Sequence, residues 1–184
     1  DLIYTSPNTL TVQYDAGGSG MVSEAGKLDD EFMGVENITG GIGNDTFNVT
    51  GDAEDNTFDG NGGTNIIDYQ GATAIVANLG ATDSIDAGGG TDTVVNFSTL
   101  IGSTGDDTFD VVDGTTTNFT TLQGDLGNDT FNITDSGTPA LSFEGGAGAD
   151  TYNFLAFDAV NNTIAEDASA NIIDYSVVAV ALNL

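Results

Sequence analysis

The groups in this chain able to do chemistry are carboxylates, and they recur behind glycine. Asp45 stands in "GGIGNDTFNV" (40–49), Asp107 in "GSTGDDTFDV" (102–111), Asp129 in "GDLGNDTFNI" (124–133) and Asp150 in "GGAGADTYNF" (145–154). Histidine and cysteine are absent. That removes the commonest general base and the imidazole and thiolate metal ligands. Any metal site here is built from oxygen, which is the chemistry of calcium or magnesium. The chain carries 29 acidic residues and one basic residue, Lys27, for a net charge of −28. Internal salt bridges cannot neutralise that charge, so metal ions, salt or a cationic partner must screen it. The same imbalance argues against nucleic acid, whose phosphates need Lys and Arg, and against anionic membrane surfaces.

Carboxylate pairs also suffice for glycoside hydrolysis, so a polysaccharide-binding or polysaccharide-cleaving parallel β-helix is the alternative functional reading. Lyases acting on acidic sugars need a cation near the substrate carboxylate, and one lysine is a poor supply. Catalytic residues should also break a repeat, and none of the carboxylates stands out from this one. We therefore expect no catalysis.

The elements that position these aspartates follow from a seven-fold template. The aspartate position is filled by Asp45, Asn65, Asp92, Asp107, Asp129, Asp150 and Asn171. Seven residues earlier stand Ile38, Phe58, Ile85, Leu100, Leu122, Phe143 and Ile164; two residues later stand Phe47, Ile67, Val94, Phe109, Phe131, Tyr152 and Ile173. Apolar residues two and four after the aspartate alternate with polar ones, the period of a strand with one buried face. Glycine between the two apolar positions allows a tight corner. Each unit thus reads as strand, glycine turn, strand, and helix signals are nearly absent.

Successive aspartate positions lie 20, 27, 15, 22, 21 and 21 residues apart. The odd pair together spans two common steps, so the period is about 21 residues, which suits one coil of a β-solenoid. We expect an all-β parallel solenoid, a β-roll or β-helix, with Asp turns on one edge and Phe109, Phe131, Tyr152 and Ile173 in one interior ladder. The Asp92 unit is displaced, and either lies on another edge or carries an insertion. A longer repeat overlies the short one: 28–49 matches 90–111, and "NIIDYQGATAIVANLG" from 65 resembles "NIIDYSVVAVALNL" from 171. Residues 1–184 read as one continuous segment, excised from a longer array. No capping unit is legible at either terminus, so exposed strand edges are expected to pair end to end with another copy or with flanking repeats.

The motifs "GGIGNDTFN", "GDLGNDTFN" and "GGAGADTYN" resemble the RTX, or haemolysin-type, calcium-binding nonapeptide, Gly-Gly-x-Gly-x-Asp-x-apolar-x. The resemblance covers residues 28–184, with four strong matches. It implies a parallel β-roll outside the cell, with calcium held between stacked turns. Carried onto this chain, the ligands are the carboxylates of Asp45, Asp107, Asp129 and Asp150, with Asp92 also matching, completed by turn carbonyls such as those of Gly127 and Asn128. The spacer from Asn65 is similar to units of giant secreted bacterial proteins, which implies a cell-surface adhesin stalk, surface layer or filament, with surface glycans as further partners. Family motifs run in direct tandem, whereas here one occurs per ~21 residues, and Asn65 and Asn171 replace two aspartates.

A metal-free turn competes with calcium. Asp and Asn can both bond local backbone N–H groups, and the two asparagines fit that use. Charge argues the other way. Two carboxylates one rung apart repel by ~0.9 kcal/mol in water and ~3.5 kcal/mol at an effective dielectric of 20.

Overall fold

A computed structural model describes residues 1–51, 53–112, 117–134, 140–156, 162–165 and 169–176. The described residues contain no helix and form two sheets with solenoid-like repetition. The first sheet runs in the order Leu2–Ile3, Asn37–Thr39, Thr57–Asp59, Thr91–Val95, Asp83–Asp86, Val76–Leu79, Thr108–Val111, Thr130–Ile133, Thr151–Phe154, Ile172–Asp174. The second runs Thr163–Ala165, Ser142–Glu144, Thr121–Gln123, Thr99–Ile101, Ile66–Asp68, Thr46–Val49, Leu10–Asp15, Ser19–Glu24, Asp30–Phe32. Most neighbours are parallel, as short strands returning once per repeat must be.

The inner faces of the two sheets share one core. Phe109, Phe131 and Tyr152 are in register and fully buried. Their rings stack at 4.6 and 4.8 Å between centroids. Phe143 of the second sheet meets Phe131 edge-on at 5.8 Å. Leu100, Leu122 and Phe143 form the facing ladder. The residue two places after each motif position is buried in six units. Ile173 is the exception at 53% exposed, because its strand pairs on one side only among the described residues.

The single-ladder expectation is corrected by the register. In the Asp45 and Asn65 units the chain passes from the first sheet to the second; in the Asp107, Asp129 and Asp150 units it passes from the second to the first. Ile67 therefore pairs with Leu100, and Phe58 with Val94. The cause lies in the displaced unit. Val76–Leu79, Asp83–Asp86 and Thr91–Val95 are three consecutive strands of the same sheet, antiparallel to one another. Both strands of the Asp92 unit, Asp83–Asp86 and Thr91–Val95, lie in the first sheet, so the next unit starts from the second sheet and the later units run in the opposite order. Asp92 sits within a strand, opposite Ile85.

Parallel stacking also stops at the N-terminal end. Leu10–Asp15, Ser19–Glu24 and Asp30–Phe32 make an antiparallel meander. Phe32 packs 6.0 Å from Tyr14, and Tyr4 donates a hydrogen bond to Asp30 across the end at 3.4 Å. Nothing in the seven-fold template signals this closure. The second half of the "NIIDYSVVAVALNL" segment lies outside the described residues.

Candidate functional site

The motif aspartates point into the molecule. Asp45, Asp107, Asp129 and Asp150 are each at most 1% exposed, and Asn65 is fully buried. The first glycine of each motif makes room for them. A Cβ on Gly40, Gly102, Gly124 or Gly145 would collide with the Oδ2 of the aspartate five residues on. Gly127 serves differently. Its φ of +124° is open to glycine, and a Cβ there would strike the carbonyl of Gly105.

One bonding rule connects successive units. The Oδ1 of the motif residue accepts the backbone N–H of the equivalent residue one unit earlier. Asp129 takes the N–H of Asp107 at 2.8 Å, Asp150 that of Asp129 at 2.9 Å, and Asn171 that of Asp150 at 2.8 Å. Near the N-terminus Asp45 takes the N–H of Leu10 at 2.8 Å, and Asn65 that of Asp45 at 2.8 Å. Asp107 closes on the N–H of Ile75 at 2.7 Å, where the ladder meets the inserted hairpin. Asp92 stands apart, accepting from Asn56 N–H at 3.2 Å and from the Tyr69 hydroxyl at 2.8 Å.

The residue before the motif aspartate bonds in the opposite direction. Asp106 Oδ1 accepts the Asn128 N–H at 2.7 Å, Asn128 Oδ1 accepts the Ala149 N–H at 2.9 Å, and Asn44 Oδ1 accepts the Thr64 N–H at 2.8 Å. The pairs Asn44–Asp45, Asp106–Asp107 and Asn128–Asp129 thus stitch their units to both neighbours. Asn44, Asp106, Asn56 and Asn162, which accepts the Leu141 N–H at 2.9 Å, were not singled out from the sequence. The signal was present in "NTFD" (56–59) and "NTIA" (162–165), where Asn precedes Thr and an apolar residue without the glycines.

The second carboxylate oxygens divide the ladder. Asp45 Oδ2 accepts the Gly41 N–H at 2.8 Å, and Asp107 Oδ2 accepts the Ser103 N–H at 2.6 Å. Asp129 Oδ2 is buried without a hydrogen bond. It and the Gly145 carbonyl oxygen flank one point, the place a Cβ on Gly124 would occupy. At the same place in its own unit Asn65 puts an amide, whose Nδ2 donates to the Asn96 carbonyl at 2.9 Å. Where asparagine brings a donor, Asp129 brings a second acceptor. Burial accordingly pushes the Asp129 carboxyl up to about 7; the Asp107 N–H opposes this, and the charges of Asp107, Asp150 and Asp106 add to it. Burial also raises Asp45 and Asp107 above the ordinary carboxylate range.

No protein-family model matches this chain, and neither a curated protein nor a solved structure does. The likeness to RTX motifs therefore rests on the motif residues themselves. Calcium takes 6–8 oxygens. Among the described residues no group of three or more acidic side chains is arranged to hold a metal. Both oxygens of Asp45 and of Asp107 are occupied by protein donors. The Gly127 carbonyl lies beneath Gly148, and Asn128 is engaged in stitching. Asp129 Oδ2, facing the Gly145 carbonyl, accepts no hydrogen bond.

Proposed function

We propose that this chain is a structural β-solenoid segment of an extracellular bacterial surface protein, of the kind found in an adhesin stalk, surface layer or filament. Coils of about 21 residues stack through paired Asx bonds, with glycine turns on one edge before the inserted hairpin and on the opposite edge after it. The observation that carries this reading is the ladder itself. The carboxylates that could do chemistry are spent holding one unit to the next, and their acceptor role is shared by asparagine. An active-site carboxylate could not be exchanged for an amide in that way.

Self-association end to end belongs to the same reading. It brings strongly acidic surfaces together, so it requires salt or divalent cations to screen them. Calcium enters this proposal as a screening ion and as a candidate partner of Asp129, whose buried Oδ2 accepts no hydrogen bond.

The test is Asp129→Asn beside Asp129→Ala, each followed by thermal melting with calcium and with a chelator. The structural reading expects the asparagine variant to melt at or above the wild type and the alanine variant below it, because Asn keeps the Oδ1 acceptor for Asp107 N–H. An asparagine variant as damaged as alanine, in a chain whose wild-type Tm rises sharply with calcium at pH 8, would make the carboxylate a metal ligand instead.

A further inference from the structure

The N-terminal meander ends in a strand with an open side. Asp30–Phe32 pairs with Ser19–Glu24 and with no other strand among the described residues. Such an edge offers unpaired backbone N–H and C=O groups to an incoming strand. Three independent features distinguish this one. Asp29, Asp30 and Glu31 are all exposed, so the edge is acidic. Leu28 and Met33, at 92% and 85%, are the most exposed large apolar side chains described, and they bracket it. Beside it lies a shallow groove whose lining includes both of the chain's methionines, Met21 and Met33, together with Gln13, Asp15 and Glu31. Methionine side chains adapt to varied apolar shapes.

We propose that the Asp30–Phe32 edge is a docking site for an extended segment of a different protein, one that alternates basic and apolar residues and adds to the sheet as a further strand. Strand addition draws affinity from main-chain hydrogen bonds and selectivity from alternate side chains. Phe32 faces inward and Glu31 outward with Met33 and the Asp15-lined groove, so a strand that carries apolar residues on the Phe32 face and basic residues on the Glu31 face satisfies both. Charge decides against this edge pairing with the same edge of a second copy. Two such edges would oppose six carboxylates, and the sole basic residue, Lys27, is already paired with Glu24 at 2.7 Å. The occupant must bring the positive charge.

The experiment uses the full chain and fluorescence anisotropy with three labelled peptides at physiological salt: alternating Lys and Val, the same residues in two blocks, and alternating Glu and Val. The alternating basic peptide is expected to bind, the blocked one about tenfold or more weaker, and the acidic one not at all. Leu28→Asp with Met33→Asp, both at exposed positions, should reduce binding by a similar factor with an unchanged circular dichroism spectrum. Amide exchange protection should appear at residues 30–32. Equal binding of the blocked peptide would reduce the effect to bulk charge and overturn the proposal. So would indifference to the double variant, protection elsewhere, or protection of 30–32 by the chain's own concentration alone.

Discussion

The Asp45–Asn65 stack and the Asp107–Asp129–Asp150 stack use the same turn and the same Oδ1 bond, yet differ in what fills the other side-chain atom. In the first, carboxylate alternates with amide. Asp45 Oδ2 finds the Gly41 N–H, and Asn65 Nδ2 finds the Asn96 carbonyl, so donors and acceptors balance. In the second, three buried carboxylates follow one another, and Asp129 has an acceptor facing an acceptor. A repeat can therefore keep its geometry while its electrostatics change from unit to unit. The C-terminal stack holds the unbalanced charge, and its stability is the part exposed to pH and cations.

The largest expected effect concerns packing, where the stacks also differ. Phe131 lies face to face between Phe109 and Tyr152, whereas Phe47 meets Phe58 and Phe97 edge-on. Both are fully buried. Phe131→Ala should cost about 3–5 kcal/mol by removing one ring from a continuous stack. Denaturant unfolding followed by tyrosine fluorescence measures it. A loss below ~1 kcal/mol would mean that the interior ladder does not carry the fold.

Exchange of the ladder residue itself should act with opposite sign in the two stacks. Asp45→Asn places an amide N–H against the Gly41 N–H and is expected to destabilise by about 1–3 kcal/mol. Asp129→Asn supplies the donor missing opposite the Gly145 carbonyl, and at pH 8 is expected to be neutral or stabilising. Parallel equilibrium unfolding of the two variants decides the matter. The same sign in both would erase the distinction between the stacks.

The pH dependence follows from the same atom. The Asp129 carboxyl titrates at about 7 in the folded chain, against about 4 in an unfolded one. A raised folded value means the native state holds the proton more tightly. The stabilisation is full below pH 4 and is lost as pH rises through 7. In chelator, Tm is expected to fall by several degrees between pH 5 and pH 8.5, with Asp129→Asn flattening much of the decline. Raised Asp45 and Asp107 contribute in the same direction. A Tm that rises over this range would contradict the assignment.

How much of this was legible in the sequence depends on what local pattern encodes. The inward alternation of Phe109, Phe131 and Tyr152 was legible, because burial imposes period two on every strand. So was the Asx role of the motif position, since Asn65 and Asn171 stood in it. The exchange of sheets was not. Apolar residues precede and follow every motif aspartate alike, so nothing in a unit says which sheet receives which strand; only the 27 and 15 spacings betrayed the hairpin at Val76–Asp86. Asn162 makes the ladder bond through its Oδ1 without the motif glycines, and Asn56 gives its N–H to Asp92 while its Oδ1 accepts the Tyr14 hydroxyl, so neither carries the glycine signature of the turn. The meander before Phe32 lay outside the template altogether.

The smallest expected effect separates the inner ladder from the outer one. Asp106 and Asn128 stitch the same units as Asp107 and Asp129, but they are exposed. Asp106→Ala frees an N–H that water can satisfy at once, so the direct cost should stay below about 1 kcal/mol. A second consequence offsets it, because the Asp106 charge is one of those holding the Asp129 carboxyl up. Without it Asp129 should titrate lower in the folded chain, so the decline in Tm should end at a lower pH and be smaller. The variant is thus expected to look nearly wild-type at pH 5 and to lose less stability than the wild type between pH 5 and pH 8.5. Melting across that range measures both. A large loss at pH 5 would place the strength of the stack in its outer bonds, and an unmoved profile would disconnect Asp106 from the buried charge.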